Sequence, residues 1–136
     1  MAFSAQSENY NLNDKRTATT GEAIATDRML VKLSASQTIV KCTADTDEAV
    51  GAFAESSIAT DTQSGYFVKG DFIVPVDTIT ASLNDPVAPD NAIAGYYKKA
   101  VSGDRVVGMF LEAVAAADNL AFVRLDCTNP ASNLLA

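Results

Sequence analysis

A six-residue phrase occurs twice in this chain, first as Val50-Gly51-Ala52-Phe53-Ala54-Glu55 and, fifty-seven residues later, as Val107-Gly108-Met109-Phe110-Leu111-Glu112. The likeness runs on, since Ala59 and Asp61 follow the first Glu at the distances at which Ala116 and Asp118 follow the second. Each copy then reaches an aromatic run, Phe67-Val68-Lys69 with Asp71 and Phe122-Val123-Arg124 with Asp126. The second run lies two positions closer to its phrase, so residues 62–65 are expected to hold extra length. A duplicated apolar unit restricts the fold because each copy must present the same faces to the same kind of neighbour. It points to scaffold or assembly material rather than to an enzyme built round one cleft.

Glycine inside an apolar run removes a side chain, so a strand keeps it at a bulge, a bend or a close backbone approach. Gly51 and Gly108 are therefore read as structural glycines that bend a curling sheet; the other reading is a place where a partner's backbone comes close. Glu55 and Glu112 bring to mind the carboxylate pair of a glycosidase, but duplication already explains their matching positions.

Short apolar runs separated by turn residues surround the two phrases, the spacing of a sandwich or barrel. Residues 29–33 and 38–43 are strand candidates, with Val40 and Cys42 on one side of the second and Ile39 and Lys41 on the other, which puts Cys42 toward the core. Residues 66–69 and 72–76 flank Gly70-Asp71 and read as a hairpin, whose Pro75 makes its second strand an edge strand or a bulged one. Residues 84–91 carry Pro86 and Pro89 among Asn and Asp and read as the loop between the two copies. Residues 93–101 and 105–111 flank Ser102-Gly103-Asp104 as a second hairpin; an Ala-rich turn or single helical turn and a last strand over 120–125 follow.

Residues 1–27 are polar and hold few large apolar side chains, too few for a core of their own. The expected fold is mainly β: a small sandwich or barrel-like domain over 28–126 with internally duplicated strand-turn units and at most one short helical turn. An extended polar arm precedes it over 1–27 and a tail follows over 127–136. Phe3, Tyr10 and Leu12 in the arm, Pro86 and Pro89 in the loop, and Leu134 and Leu135 in the tail are the candidate partner contacts.

Composition then removes function classes. A net charge of −7 with only ten scattered Lys and Arg opposes binding to nucleic acid or anionic lipid. No apolar run reaches the length needed to cross a bilayer, and the polar start lacks the pattern of a secretory signal. Without histidine there is no Ser-His or Cys-His nucleophile system and no zinc site for Cys42 and Cys127, which could pair or remain two small buried thiols. The acidic stretch Asp45-Thr46-Asp47-Glu48 fails as a calcium loop because Val50 stands where glycine is needed and Ser56 where the last Glu belongs; it reads as a solvated turn. Neither catalytic residues nor cofactor nor metal is expected.

The order of segments does resemble a family. Gly21 with Val31-Lys32-Leu33, Val50-Gly51, Lys69-Gly70-Asp71-Phe72-Ile73-Val74, Ile93-Ala94-Gly95-Tyr96, Val107-Gly108-Met109-Phe110-Leu111-Glu112-Ala113 and Ala121-Phe122-Val123-Arg124-Leu125 are similar to the small capsid decoration, or cement, proteins of tailed bacteriophages. The likeness spans residues 21–126. It implies a β-rich homotrimer on the outer capsid surface of the virion, made in the bacterial cytoplasm and clamping neighbouring major capsid proteins. The polar arm and the prolyl segment 84–91 depart from that pattern. A host- or carbohydrate-binding module of a virion fibre is the alternative, for which Tyr66, Tyr96 and Tyr97 are the stacking candidates beside Tyr10.

Overall fold

The structure is a computed structural model that describes residues 7–128 and 134–136. It is mainly β. After a 3-10 turn at Leu12–Asp14 come β1 (Lys15–Thr20), β2 (Leu30–Ala35), β3 (Thr38–Lys41), β4 (Ala49–Phe53) and β5 (Gln63–Phe67). Then follow β6 (Lys69–Pro75), β7 (Pro86–Pro89), β8 (Tyr97–Lys99), β9 (Gly108–Phe110) and β10 (Leu120–Asp126).

The first five strands close into a barrel in the order β1-β3-β2-β4-β5, and the second five form a sheet in the order β6-β10-β9-β7-β8. Started from β3, the first order is β3-β2-β4-β5-β1; the second, read from its far edge, is β8-β7-β9-β10-β6. The two are the same topology. Registers agree as well: Ala52 faces Phe67 and Phe53 faces Tyr66 in the first unit, and Met109 faces Arg124 and Phe110 faces Val123 in the second. The parallel pair that closes the first barrel, Thr20 with Ile39, recurs as a single parallel bridge between Val76 and Tyr97. The outlying bridge of Ile24 with Ile58 recurs as Ala81 with Val114. The chain is thus two tandem copies of one five-stranded unit, and the crossing lies at Val68, between β5 and β6.

Equivalent positions fill the two interiors. Ala18, Val31, Ile39 and Phe53 are buried in the first, and Val74, Val87, Tyr97 and Phe110 in the second. The second core also receives Leu30, Cys42, Ala49, Ala52 and Phe67, which point outward from the first barrel. Strands β2 and β4 of the first barrel therefore bury side chains on both faces, which is why their sequences run apolar instead of alternating.

Arg28 ties the junction together from a left-handed backbone position at φ 61°. Its guanidinium makes a forked pair with Glu8 at 3.0 and 2.9 Å and donates to the carbonyls of Phe53 and Ala54. It also lies 5.4–5.7 Å from the ring centres of Tyr10, Phe67 and Phe72, within cation–π range. Its own carbonyl accepts the Tyr97 hydroxyl at 2.8 Å. Burial acts to lower the guanidinium's pKa, but the hydrogen bonds and charge of Glu8 outweigh it and hold the value above the ordinary one.

Several sequence expectations are corrected. The arm is not an appendage in its described part, because residues 15–20 are a barrel strand paired with β5 and β3. Gly70-Asp71 lies inside β6, and β5 and β6 belong to different sheets, so no hairpin forms there. Ser102-Gly103 does turn the chain, with the Asp104 carboxylate accepting from Val101 N–H at 2.9 Å, but β8 and β9 are not paired since β7 lies between them. The supposed loop 84–91 contains that strand. Nor is there extra length at 62–65: Gly51 abuts Phe67 and Gly108 abuts Arg124 at the same separation, so Phe67 is equivalent to Arg124, not to Phe122.

Cys42 and Cys127 are free and buried within the second core. Burial pushes both thiols up, with Asp47 adding to the effect at Cys42 and Asp126 at Cys127. Since the thiolate is the reactive form, neither is expected to react with a thiol-disulfide reagent at neutral pH in the native protein, and both are expected to react once it is unfolded in denaturant. Rapid native labelling of either thiol contradicts the packing described.

Candidate interaction surface

Asn9 exchanges backbone hydrogen bonds with Asp71 at 2.9 and 2.7 Å, which lays the N-terminal segment along β6. That placement sets the Tyr10 ring at a tilt against Phe67, 4.4 Å between centres, and stacks it with Phe72 at 5.7 Å. The Asn11 side chain then caps the 3-10 turn by accepting from Asn13 N–H at 2.9 Å. The turn presents Leu12 to solvent at 73% exposure.

Beside these residues, Arg124 projects from the outward side of β10 and forks onto Asp71, with Nε–Oδ1 2.9 Å and Nη2–Oδ2 3.2 Å. The hydrogen bonds and charge of Asp71 raise the arginine's pKa. Asp126 is held below its ordinary carboxylate value, first by the Thr128 hydroxyl at 2.6 Å and then by the Thr128 N–H. Tyr10, Leu12, Lys69, Asp71, Arg124 and Asp126 line a groove of about 680 Å³. It does not stand alone. Asp71, Arg124, Met109 and Pro86 are successive register partners across β6, β10, β9 and β7, so the groove continues into a row across the outer face of the second unit. Apolar side chains rimmed by paired charges suit contact with another protein.

The sequence candidates scatter around this surface. Tyr10, Leu12 and Pro86 belong to it. Pro89 does not, being buried opposite Tyr97 in the β7–β8 pair. Leu134 is exposed but bridges to Arg105, and Leu135 exchanges backbone bonds with Gly103 and Asp104, which ties the tail to the 101–105 turn. Phe3 lies outside the described residues. Gly51 and Gly108 face the carbonyls of Phe67 and Arg124, so the backbone that approaches them is the chain's own. Sequence reasoning missed Asp71, Arg124 and Met109. Their signal was available in the repeat, where Met109 and Arg124 stand at the positions of buried Ala52 and Phe67.

Glu55 and Glu112 occupy equivalent places, one per unit. Among the described residues no group of three or more Cys, Asp or Glu is placed to hold a metal ion. Asp47 instead turns the acidic stretch inward, accepting from Thr43 and Ala44 N–H at 2.8 and 2.9 Å and pairing with Lys32 at 3.0 Å. Of the tyrosines considered for sugar stacking, Tyr97 is fully buried, and Tyr66 and Tyr96 pack against the first core.

No family model and no curated protein sequence matches this chain. Among solved structures, the N base of the head fibre gp8.5 of bacteriophage phi29 is similar, with a TM-score of 0.56 and 14% sequence identity over 83% of this chain and 93% of that one. A likeness at that identity shows a shared fold.

Proposed function

We propose that this chain is a structural protein of a phage virion that sits on the outer capsid surface as a homotrimer and stabilises the shell by bridging neighbouring major capsid proteins. The observation that carries the reading is the fold it shares with the base of a phage head fibre across nearly the whole of that base. Support comes from the molecule itself: a barrel and a sheet of one topology tied by the half-buried Arg28–Glu8 pair, and a groove-and-row surface of Tyr10, Leu12, Arg124, Met109 and Pro86 suited to protein contact. Modest contacts of this kind add up when a trimer engages a repeating lattice. The same likeness favours a second reading, in which the chain seats a fibre on the head and does not clamp the shell. For the host- or carbohydrate-binding alternative Tyr10, 40% exposed in the groove, is the stacking candidate, since Tyr97 is buried and Tyr66 and Tyr96 pack against the first core.

Purified protein mixed with expanded and unexpanded heads lacking it tests the proposal. Co-sedimentation is expected, together with a higher temperature for head opening. Binding without any gain in head stability favours the fibre base. Absence from purified virions and failure to bind either head form ends both readings, and so does glycan binding without head binding.

A further inference from the structure

The first unit covers the second with Leu30, Cys42, Ala49, Ala52 and Phe67, all of them buried. Because the units share one register, each has a counterpart: Pro86, Ala100, Val106, Met109 and Arg124. On the second unit most of this face is open: Met109 is 36% exposed, Pro86 and Val106 are half-buried and Arg124 is exposed, while Ala100 is buried. Yet three of the four accessible side chains are apolar. The outward positions of β1, which face solvent, are Lys15, Thr17 and Thr19. Solvation therefore does turn an outward face polar in this fold, and it has not done so here.

We propose that this face binds a second copy of this chain, whose first barrel occupies the place of a third repeat. The occupant follows from continuity, since the equivalent face of the first unit is already covered by a copy of the same unit. The receiving positions on the second copy are accessible. Gln37, Val40 and Glu48 are the counterparts of Gly95, Lys98 and Arg105, with which the second unit holds Cys42, Asp45 and Thr46 of the first. Gln37 and Glu48 are exposed and Val40 is half-buried. Such a contact joins two different surfaces, so it repeats head to tail and closes into a ring where the rotation between copies allows. It rests on the homotrimer part of the reading above and gives that trimer its interface.

Sedimentation equilibrium of the purified full chain tests the contact without any capsid present. The wild type is expected as a closed ring of three, Met109→Glu as a single chain with an unchanged melting curve, and Thr17→Glu, on the solvated face of β1, as the ring. Should Met109→Glu not fold, the wild type still decides: peroxide is expected to oxidise Met109 slowly while the chain is assembled and faster once dilution separates the copies. A single-chain wild type, a two-fold dimer, a ring indifferent to Met109→Glu, or fast oxidation of Met109 within the ring overturns the proposal. A ring that forms but does not bind heads ends the capsid reading and leaves this interface standing. A single-chain wild type that loses head binding on Met109→Glu assigns the face to the capsid protein instead.

Discussion

Deleting residues 1–27 is expected to abolish cooperative folding, although composition alone marks this stretch as a dispensable arm. The deletion removes β1, which meets β5 at five register positions from Lys15–Phe67 to Thr19–Gln63 and closes the barrel against β3 at two more. It strips the first core of Ala18 and Ile24 and leaves β3 and β5 as unpaired edges, a template for aggregation. It also removes Glu8 from Arg28, whose side chain is only 11% exposed. Arg28 keeps the Phe53 and Ala54 carbonyls, and losing its charged partner from this half-buried place costs about 1.5–3 kcal/mol, against a total stability of about 5–15 kcal/mol for a domain of this size. Far-UV circular dichroism and urea titration should show no sigmoidal transition. A sharp two-state melt for this deletion returns β1 to the status of an arm.

The reason β1 was hard to read explains much of what the sequence hid. A strand of a narrow barrel needs to bury only alternate residues, and Lys15–Thr20 buries just Ala18 and Thr20, neither of which carries an apolar signal. The β7 strand hid for a different cause. Proline is expected at edges or strand ends, and Pro86 and Pro89 take the two ends of a four-residue strand. There the Pro86 carbonyl still accepts from Ala100 N–H. Both expected hairpins failed because Gly-Asp reports on local turning but not on which strands pair, and this topology separates the flanking strands. The repeated phrase, by contrast, was visible because β4 and β9 perform the same packing in both units. Its downstream alignment slipped by two positions when Phe was matched to Phe. Phe67 fills the junction between units, whereas Arg124, at the equivalent place, faces outward, so the chemistry diverged where the surroundings did. The same divergence concealed most of the candidate surface, because Met109 and Arg124 stand exposed where the first unit has buried Ala52 and Phe67.

Gly51 and Gly108 supply the second large effect. Neither has the left-handed backbone that ordinarily calls for glycine; what each lacks is room. A Cβ built on Gly51 lies 2.2 Å from the Phe67 carbonyl oxygen, and one on Gly108 lies 1.9 Å from that of Arg124. Both obstacles are backbone, so no rotamer change relieves them and a neighbouring strand must move. In most strands alanine is preferred over glycine by about 0.5–1 kcal/mol, because it loses less conformational freedom on folding. Here the sign should reverse. Gly51→Ala and Gly108→Ala are each expected to destabilise by about 3 kcal/mol, the upper range for overpacking a filled site. Urea midpoints should fall with little change in slope for each single variant. In the double variant the two losses, one in each unit, add to about 6 kcal/mol, the lower end of a total stability of about 5–15 kcal/mol, and the urea midpoint should fall about twice as far as in either single variant. A neutral or stabilising alanine at either position would mean that the strands do not approach so closely there, and the equivalence of the two phrases would then rest on their packing pattern alone.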